Sequence, residues 1–425
     1  MMSSLLIKNT VLDGKPVNTV CDDGRITSIG ANTPDVDTVL DAHGMIAFPP
    51  LINSHTHSSM TLFRGNGDDL PLMEWLTKRV WPYEAGIRKE EIYWGAKLAI
   101  LEMIRAGTVF FNDMYWDFPT IAQAVEEMGS RAMLATAIID IGNGFSLEDQ
   151  IRRNDEMFKT SRDFSDRVQF AVGPHSIYTV SEKGLRWAKE FADEHGIVLH
   201  THLAETEQEV KNCYNEHQCS PTEYLDRMGV IDERLVAAHT VWLSDSDIAT
   251  LGEKKAVCVH NPVSNMKLAV NGVYPYRKLR DAGAVTAIAT DGAGTNNNLD
   301  LFEEMKIAAL LQKFAENDQT ALPAAENLAM ATSNPAPVFG LEGGVREGGV
   351  ADLILLDTSL PEMNPPHDLA SHLVYAVNGN VVDTVVCNGK ILMKHRVVEG
   401  AEEIIARANE ASRNLFARVD NATRG

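Results

Sequence analysis

One pattern recurs along the middle of this chain: an apolar run of strand length that stops abruptly at His, Asp or Asn. It appears eight times, in MIAFPPLINSHTH, TVFFND, RAMLATAIID, VQFAVGPHS, IVLHTHLAE, LVAAHT, AVCVHNP and VTAIATDG. Helix-like stretches such as EEIYWGAKLAILEMIRAG and SEKGLRWAKEFADEHG lie between most of the runs. Strands alternating with helices imply a parallel sheet covered on both faces, and eight such units imply closure into a (β/α)8, TIM-like barrel. A flat doubly wound sheet would carry a Gly-rich phosphate loop after its first strand; here His-Thr-His follows instead. Polar residues where the apolar runs end are expected at the C-terminal rim, where barrels of this kind keep their chemistry.

The two ends of the chain differ from the middle and resemble each other. Residues 1–48 and 343–400 alternate short apolar runs with Gly and Asn-Gly turns, the pattern of strands and hairpins. We expect them to form one composite β-sandwich domain, 1–50 with 343–425, from which a catalytic barrel of residues 51–342 is inserted. The last stretch, AEEIIARANEASRNLFARV, has the apolar spacing of a terminal helix.

Charge and composition narrow the partners. The net charge of −21, with no Lys/Arg run, argues against nucleic acid, whose phosphates are bound through clustered cations. No apolar stretch is long enough for a transmembrane helix, and MMSSLLIKNTVLDG lacks the layout of a signal peptide. The five cysteines include no CxxC pair, so a cytoplasmic protein with reduced thiols is the simplest reading.

His55 and His57 close the first run. Residues i and i+2 of a strand point to the same side and can converge on one ion. The fifth run holds a second pair, His200 and His202, followed by Glu205. If His202 faces the barrel mouth, His200 faces the same way one layer deeper, and we read it as a hydrogen-bonded core histidine. Asp291 closes the eighth run, next to the first in a closed barrel. Together His55, His57, His202 and Asp291 make an N/O set suited to one Zn2+, or to Fe2+, with room for water. His175 and His239 close the fourth and sixth runs.

The stretches HTHSSMTLFRGNGDDLPLMEWL, VWPYEAG, FFNDMY, GPHSIYTVS, HTHLAET, HNPVSNMKL, ATDGAGTNNNLDLFEEM and GGVREGGVADLILLD together resemble the amidohydrolase superfamily. Within it they are most similar to the 5′-methylthioadenosine/S-adenosylhomocysteine deaminases, grouped with the triazine hydrolases. The resemblance implies that His55, His57, His202 and Asp291 hold the metal and that Asp291 also serves as general base. It implies that Glu205 handles the ring-nitrogen proton, that His239 orients the attacking water, that Glu84 binds the ribose hydroxyls and that His175 contacts the substrate. Trp75 and Leu72 would wall the base or the 5′ substituent. Two-metal relatives bridge their ions with a modified Lys at the fourth strand end; none stands here, which favours one metal per subunit.

The implied reaction is hydrolytic deamination of the adenine ring in a small nucleoside, giving the inosine analogue and ammonia. The region LATAIIDIGNGFSLEDQIRRN places no Arg at the third strand end, where some relatives hold a homocysteine carboxylate; the nearest are Arg152 and Arg153. This favours a small 5′ group. The same metal set would serve a guanine or pterin deaminase or a triazine chlorohydrolase, and a non-catalytic metal-binding protein is the alternative of another class. Barrels of this kind commonly self-associate, so a homo-oligomer is expected.

Overall fold

The computed structural model describes residues 4–70, 72–142, 144 and 146–424. The N-terminal strands β1 (Leu5–Leu12), β2 (Lys15–Asp22), β3 (Arg25–Gly30), β4 (Thr38–Asp41) and β5 (Ile46–Phe48) precede the barrel. The barrel strands are β6 (Leu51–Thr56), β7 (Thr108–Tyr115), β8 (Arg131–Ile138), β9 (Val168–Pro174), β10 (Leu199–Leu203), β11 (Leu235–His239), β12 (Val257–His260) and β13 (Val285–Ile288). Three strands follow it: β14 (Leu353–Leu356), β15 (Val382–Cys387) and β16 (Lys390–Met393).

β6 to β13 pair in sequence order, every pair parallel. Nearly every residue of these strands is buried, because helices cover one side and the barrel interior the other; this is why they read as continuous apolar runs rather than alternating ones. Side chains such as Ile52, Phe110, Val236, Val257 and Ala287 fill the interior, and Phe339 joins them. The ring closes between β13 and β6 through a few bonds, most of them from side chains, rather than a full ladder. Asn53 Nδ2 donates to Thr290 Oγ1 at 2.8 Å, Thr290 N donates to Asn53 Oδ1 at 3.1 Å, and Asp291 N donates to the His55 carbonyl at 3.1 Å. That last bond sets Asp291 directly beside His55.

The end segments form one mixed sheet in the order β16-β15-β14-β5-β1-β2-β3, with β4 paired to β1. The joint between the two ends of the chain is the antiparallel pair β5–β14, with Ala47 opposite Leu355. The terminal helix Ala401–Arg424 returns to the barrel. Arg418 pairs with Glu91 at 2.9 Å on the helix Lys89–Arg105, and Ser412 Oγ donates to the Leu62 carbonyl at 3.0 Å. Among the described residues, no helix is long and apolar enough to cross a membrane.

Candidate active site

Strand ends bring the chemistry-bearing residues together. β6 ends beside His55 and His57, β10 carries His200 and His202, and β11 ends at His239. His175 follows β9, and Asp291 lies just beyond β13. The chain turns sharply as it leaves three of these strands: Ala204, His239 and Asp291 have φ of +51°, +74° and +59°. Non-glycine residues adopt this conformation at a cost, and such strain gathers where surrounding structure fixes a site.

His55, His57, His202 and Asp291 lie close together: the ligand atoms of His55, His57 and Asp291 are within 4.8 Å of one another, as are those of His55, His202 and His239. His55 Nε2 and His57 Nε2 each lie 3.3 Å from Asp291 Oδ1, and His57 Nε2 lies 3.3 Å from His202 Nε2. The opposite nitrogen of each ring settles its tautomer. His57 Nδ1 donates to the Met114 carbonyl and His202 Nδ1 to the His175 carbonyl, both at 2.8 Å, so their Nε2 atoms carry lone pairs. His55 Nδ1 lies 2.8 Å from His200 Nε2, and His55 Nε2 is buried with no hydrogen-bond partner.

Burial favours the neutral rings: it brings His55 down to about 4 and holds His202 well below the usual imidazole range. Burial alone would raise Asp291, but the neighbouring His55, with His57 and His239 beyond it, holds its carboxyl well below the usual range. Asp291 Oδ2 is anchored by Ser264 Oγ at 2.6 Å and Thr295 Oγ1 at 3.0 Å, while Oδ1 accepts the Gly292 N–H at 2.8 Å and lies towards His55 and His57. Three imidazole lone pairs and a carboxylate oxygen aimed at one another repel unless a cation lies among them. The donor set therefore fits a divalent metal, and its N/O composition suits the zinc class.

Glu205 and His239 stand at one side of this group. The Glu205 carboxylate is 4.0 Å from His239 Nε2, and its carboxyl is raised by burial. His239 Nδ1 faces Asn265 Oδ1 at 2.8 Å. Burial would lower His239, but the charges of Glu205 and Asp291 outweigh it and raise its pKa. His175 packs against His202, its ring tilted with centroids 4.5 Å apart, and its Nδ1 is 2.9 Å from Thr179 Oγ1.

Glu84 ends the short helix Trp81–Glu84 beside Tyr115 and Trp116, with burial raising its carboxyl. Trp75 is buried against Gly294, where a Cβ would sit only 3.1 Å from the Trp75 ring; the glycine lets the indole close over the loop that follows Asp291. Leu72 opens the same short helix as Trp75, and its side chain lies outside the described residues. Arg152 is exposed and paired with Asp149 at 2.7 Å, whereas Arg153 donates to the Trp116 carbonyl.

Sequence reasoning missed two groups. Asn265 is hidden within HNPVSNMKL, which gives no sign of the imidazole it faces. Glu209 is buried, raised to about 7 by its desolvation, and accepts the backbone N–H groups of Ala204 and Glu205 at 2.9 and 2.8 Å. In sequence it reads as an ordinary first-turn Glu of the helix Glu207–His217.

Known proteins share this architecture throughout. The chain is 45% identical to a 5′-deoxyadenosine deaminase of Methanoregula boonei, over 98% of this chain and 96% of that protein. It is 43% identical to 5-methylthioadenosine/S-adenosylhomocysteine deaminase 1 of Archaeoglobus fulgidus, over 97% and 99%. Its fold superimposes on a zinc-bound adenosine deaminase from Xanthomonas campestris with a TM-score of 0.92, 32% identity and coverage of 97% and 98%. Residues 46–392 match the amidohydrolase family itself. On the barrel, the converging donor set and this match along most of its length, the chain belongs to the amidohydrolase family.

Proposed function

We propose that this chain hydrolyses the exocyclic amine from the adenine ring of a nucleoside with a small 5′ group, 5′-deoxyadenosine or 5′-methylthioadenosine foremost, using one zinc ion per subunit. The observation that carries the reading is the meeting of the four donors with Glu205 and His239 at one barrel mouth. Relatives named for this activity match nearly the whole chain.

His55, His57, His202 and Asp291 hold the cation. When bound, it polarises water so that hydroxide is available near neutral pH, at a pKa of about 7. Asp291, ionised and with Oδ1 turned inward, accepts the proton of the attacking water. Glu205, whose carboxyl burial raises towards the acid form, donates to the ring nitrogen beside C6 and makes that carbon electrophilic. His239, held by Asn265, orients the attacking oxygen. Glu84 takes the ribose hydroxyls, His175 contacts the base, and Trp75 and Leu72 wall the pocket. The attacking oxygen bonds to C6, and Asp291 returns the proton it took to the amino group, which leaves C6 as ammonia. The remaining hydroxyl proton restores Glu205, so the inosine analogue remains.

The test is ammonia release, with loss of adenine absorbance, from 5′-deoxyadenosine, 5′-methylthioadenosine, adenosine, S-adenosylhomocysteine and guanine. Turnover of the adenine nucleosides is expected. Turnover of guanine alone, or of nothing in the panel by metal-loaded protein, overturns the reading.

His200 supports the metal group indirectly. By facing His55 Nδ1 at 2.8 Å it keeps the His55 lone pair on Nε2. His200→Ala is expected to weaken metal affinity by roughly 10–100-fold, the usual cost of losing such an outer partner. Chelator competition measures this, and wild-type affinity in the variant would contradict it.

A further inference from the structure

Glu205 does not simply extend from the end of β10. The chain leaves Leu203, turns through Ala204 at φ +51°, and only then presents Glu205. Two sets of bonds hold this turn. On one side the Ala204 carbonyl accepts the N–H groups of Val241 and Trp242, at 3.1 and 2.9 Å, just past the end of β11. On the other side the two carboxylate oxygens of Glu209 accept the N–H groups of Ala204 and Glu205, at 2.9 and 2.8 Å. Glu209 is only 5% exposed, so these are buried bonds that water does not replace.

Helix initiation does not require this arrangement. Thr206 is the N-cap of the helix Glu207–His217, its side chain accepting from Glu209 N. In an ordinary capping box the Glu at the third helical position reaches back to the N–H of the cap residue itself. Glu209 instead reaches one and two residues further upstream, to the strained turn and to the residue that carries the carboxyl facing His239. We propose that Glu209 is a positioning residue for Glu205, fixing the direction in which the Glu205 carboxyl leaves the strand; this rests on the deaminase reading above. With the clamp removed, Ala204 is free to relax from the left-handed region, and the carboxyl swings away from the ring nitrogen it must meet. A misplacement of about 1 Å in such a group costs on the order of a hundredfold in rate.

The test compares two variants with the wild type, each assayed for ammonia release from 5′-deoxyadenosine, bound metal and Tm. Glu209→Gln is nearly isosteric but offers one acceptor oxygen and turns an NH2 towards the second N–H. Thr206→Ala removes the helix cap and leaves both bonds to Glu209 in place. We expect Glu209→Gln to keep its metal and its KM while kcat falls about a hundredfold. Thr206→Ala is expected to lower Tm while kcat and KM stay at wild-type values. Wild-type kcat in Glu209→Gln overturns the proposal. So do equal kcat losses in the two variants, or loss of metal from Glu209→Gln, since either marks general damage to the turn. A metal-loaded wild type that releases no ammonia from any adenine nucleoside instead overturns the deaminase reading, and the positioning role with it.

Discussion

Glu205→Gln is expected to lose about 10²–10⁴-fold in kcat, the usual worth of a positioned general acid, while its metal content stays at the wild-type level. The side chain is nearly unchanged in size, and Glu205 is in neither of the two groups of side chains that could hold a metal ion. What Gln cannot do is hand a proton to the ring nitrogen. In the wild type, burial raises the Glu205 carboxyl, so the acid form persists to higher pH than for an exposed carboxylate. Donation needs that acid form; activity tied to it is therefore present below the raised pKa and lost as pH rises through it. The variant should lack this falling limb. Near-normal turnover by Glu205→Gln, or an unchanged pH profile, removes Glu205 from the proposed mechanism.

His55→Ala is expected to empty the metal site. His55 is fully buried at the centre of the cluster, its Nε2 beside Asp291 and its Nδ1 against His200. Removing the ring deletes one of the four proposed donors and leaves Asp291 without the neighbour that does most to keep it ionised. The loss of affinity should exceed the roughly 10–100-fold of an outer-shell change. Metal analysis of the purified variant checks this, with activity recovering only at high added zinc. Full occupancy in His55→Ala contradicts the assignment.

How much of this was legible in the sequence depends on whether a feature is local. The barrel strands were, because burial on both faces writes an unbroken apolar run, as in TVFFND and the observed β7, Thr108–Tyr115. The abrupt polar ends were legible for the same reason: the rim is where burial by helices stops and the mouth begins. Alternation along β10 also put His200 and His202 on one side, and the structure sets His200 one layer down against His55.

Non-local features were not readable. The β5–β14 joint pairs residues some 300 positions apart, and nothing in either strand names its partner. The seam between Asn53 and Thr290 depends on closure of the whole ring. The terminal helix announces an apolar face but not that it would lie along Lys89–Arg105. Glu209 was hidden by its own ordinariness: its reach upstream depends on the left-handed turn at Ala204, which no propensity of alanine predicts.

The central claim is tested most directly by anomalous scattering at the zinc edge from crystals of the zinc-loaded protein. One peak per chain is predicted, bonded to Nε2 of His55, His57 and His202 and to Oδ1 of Asp291 at about 2.0–2.2 Å. Two peaks in the barrel mouth, or a single peak that these four atoms do not reach, would contradict the account.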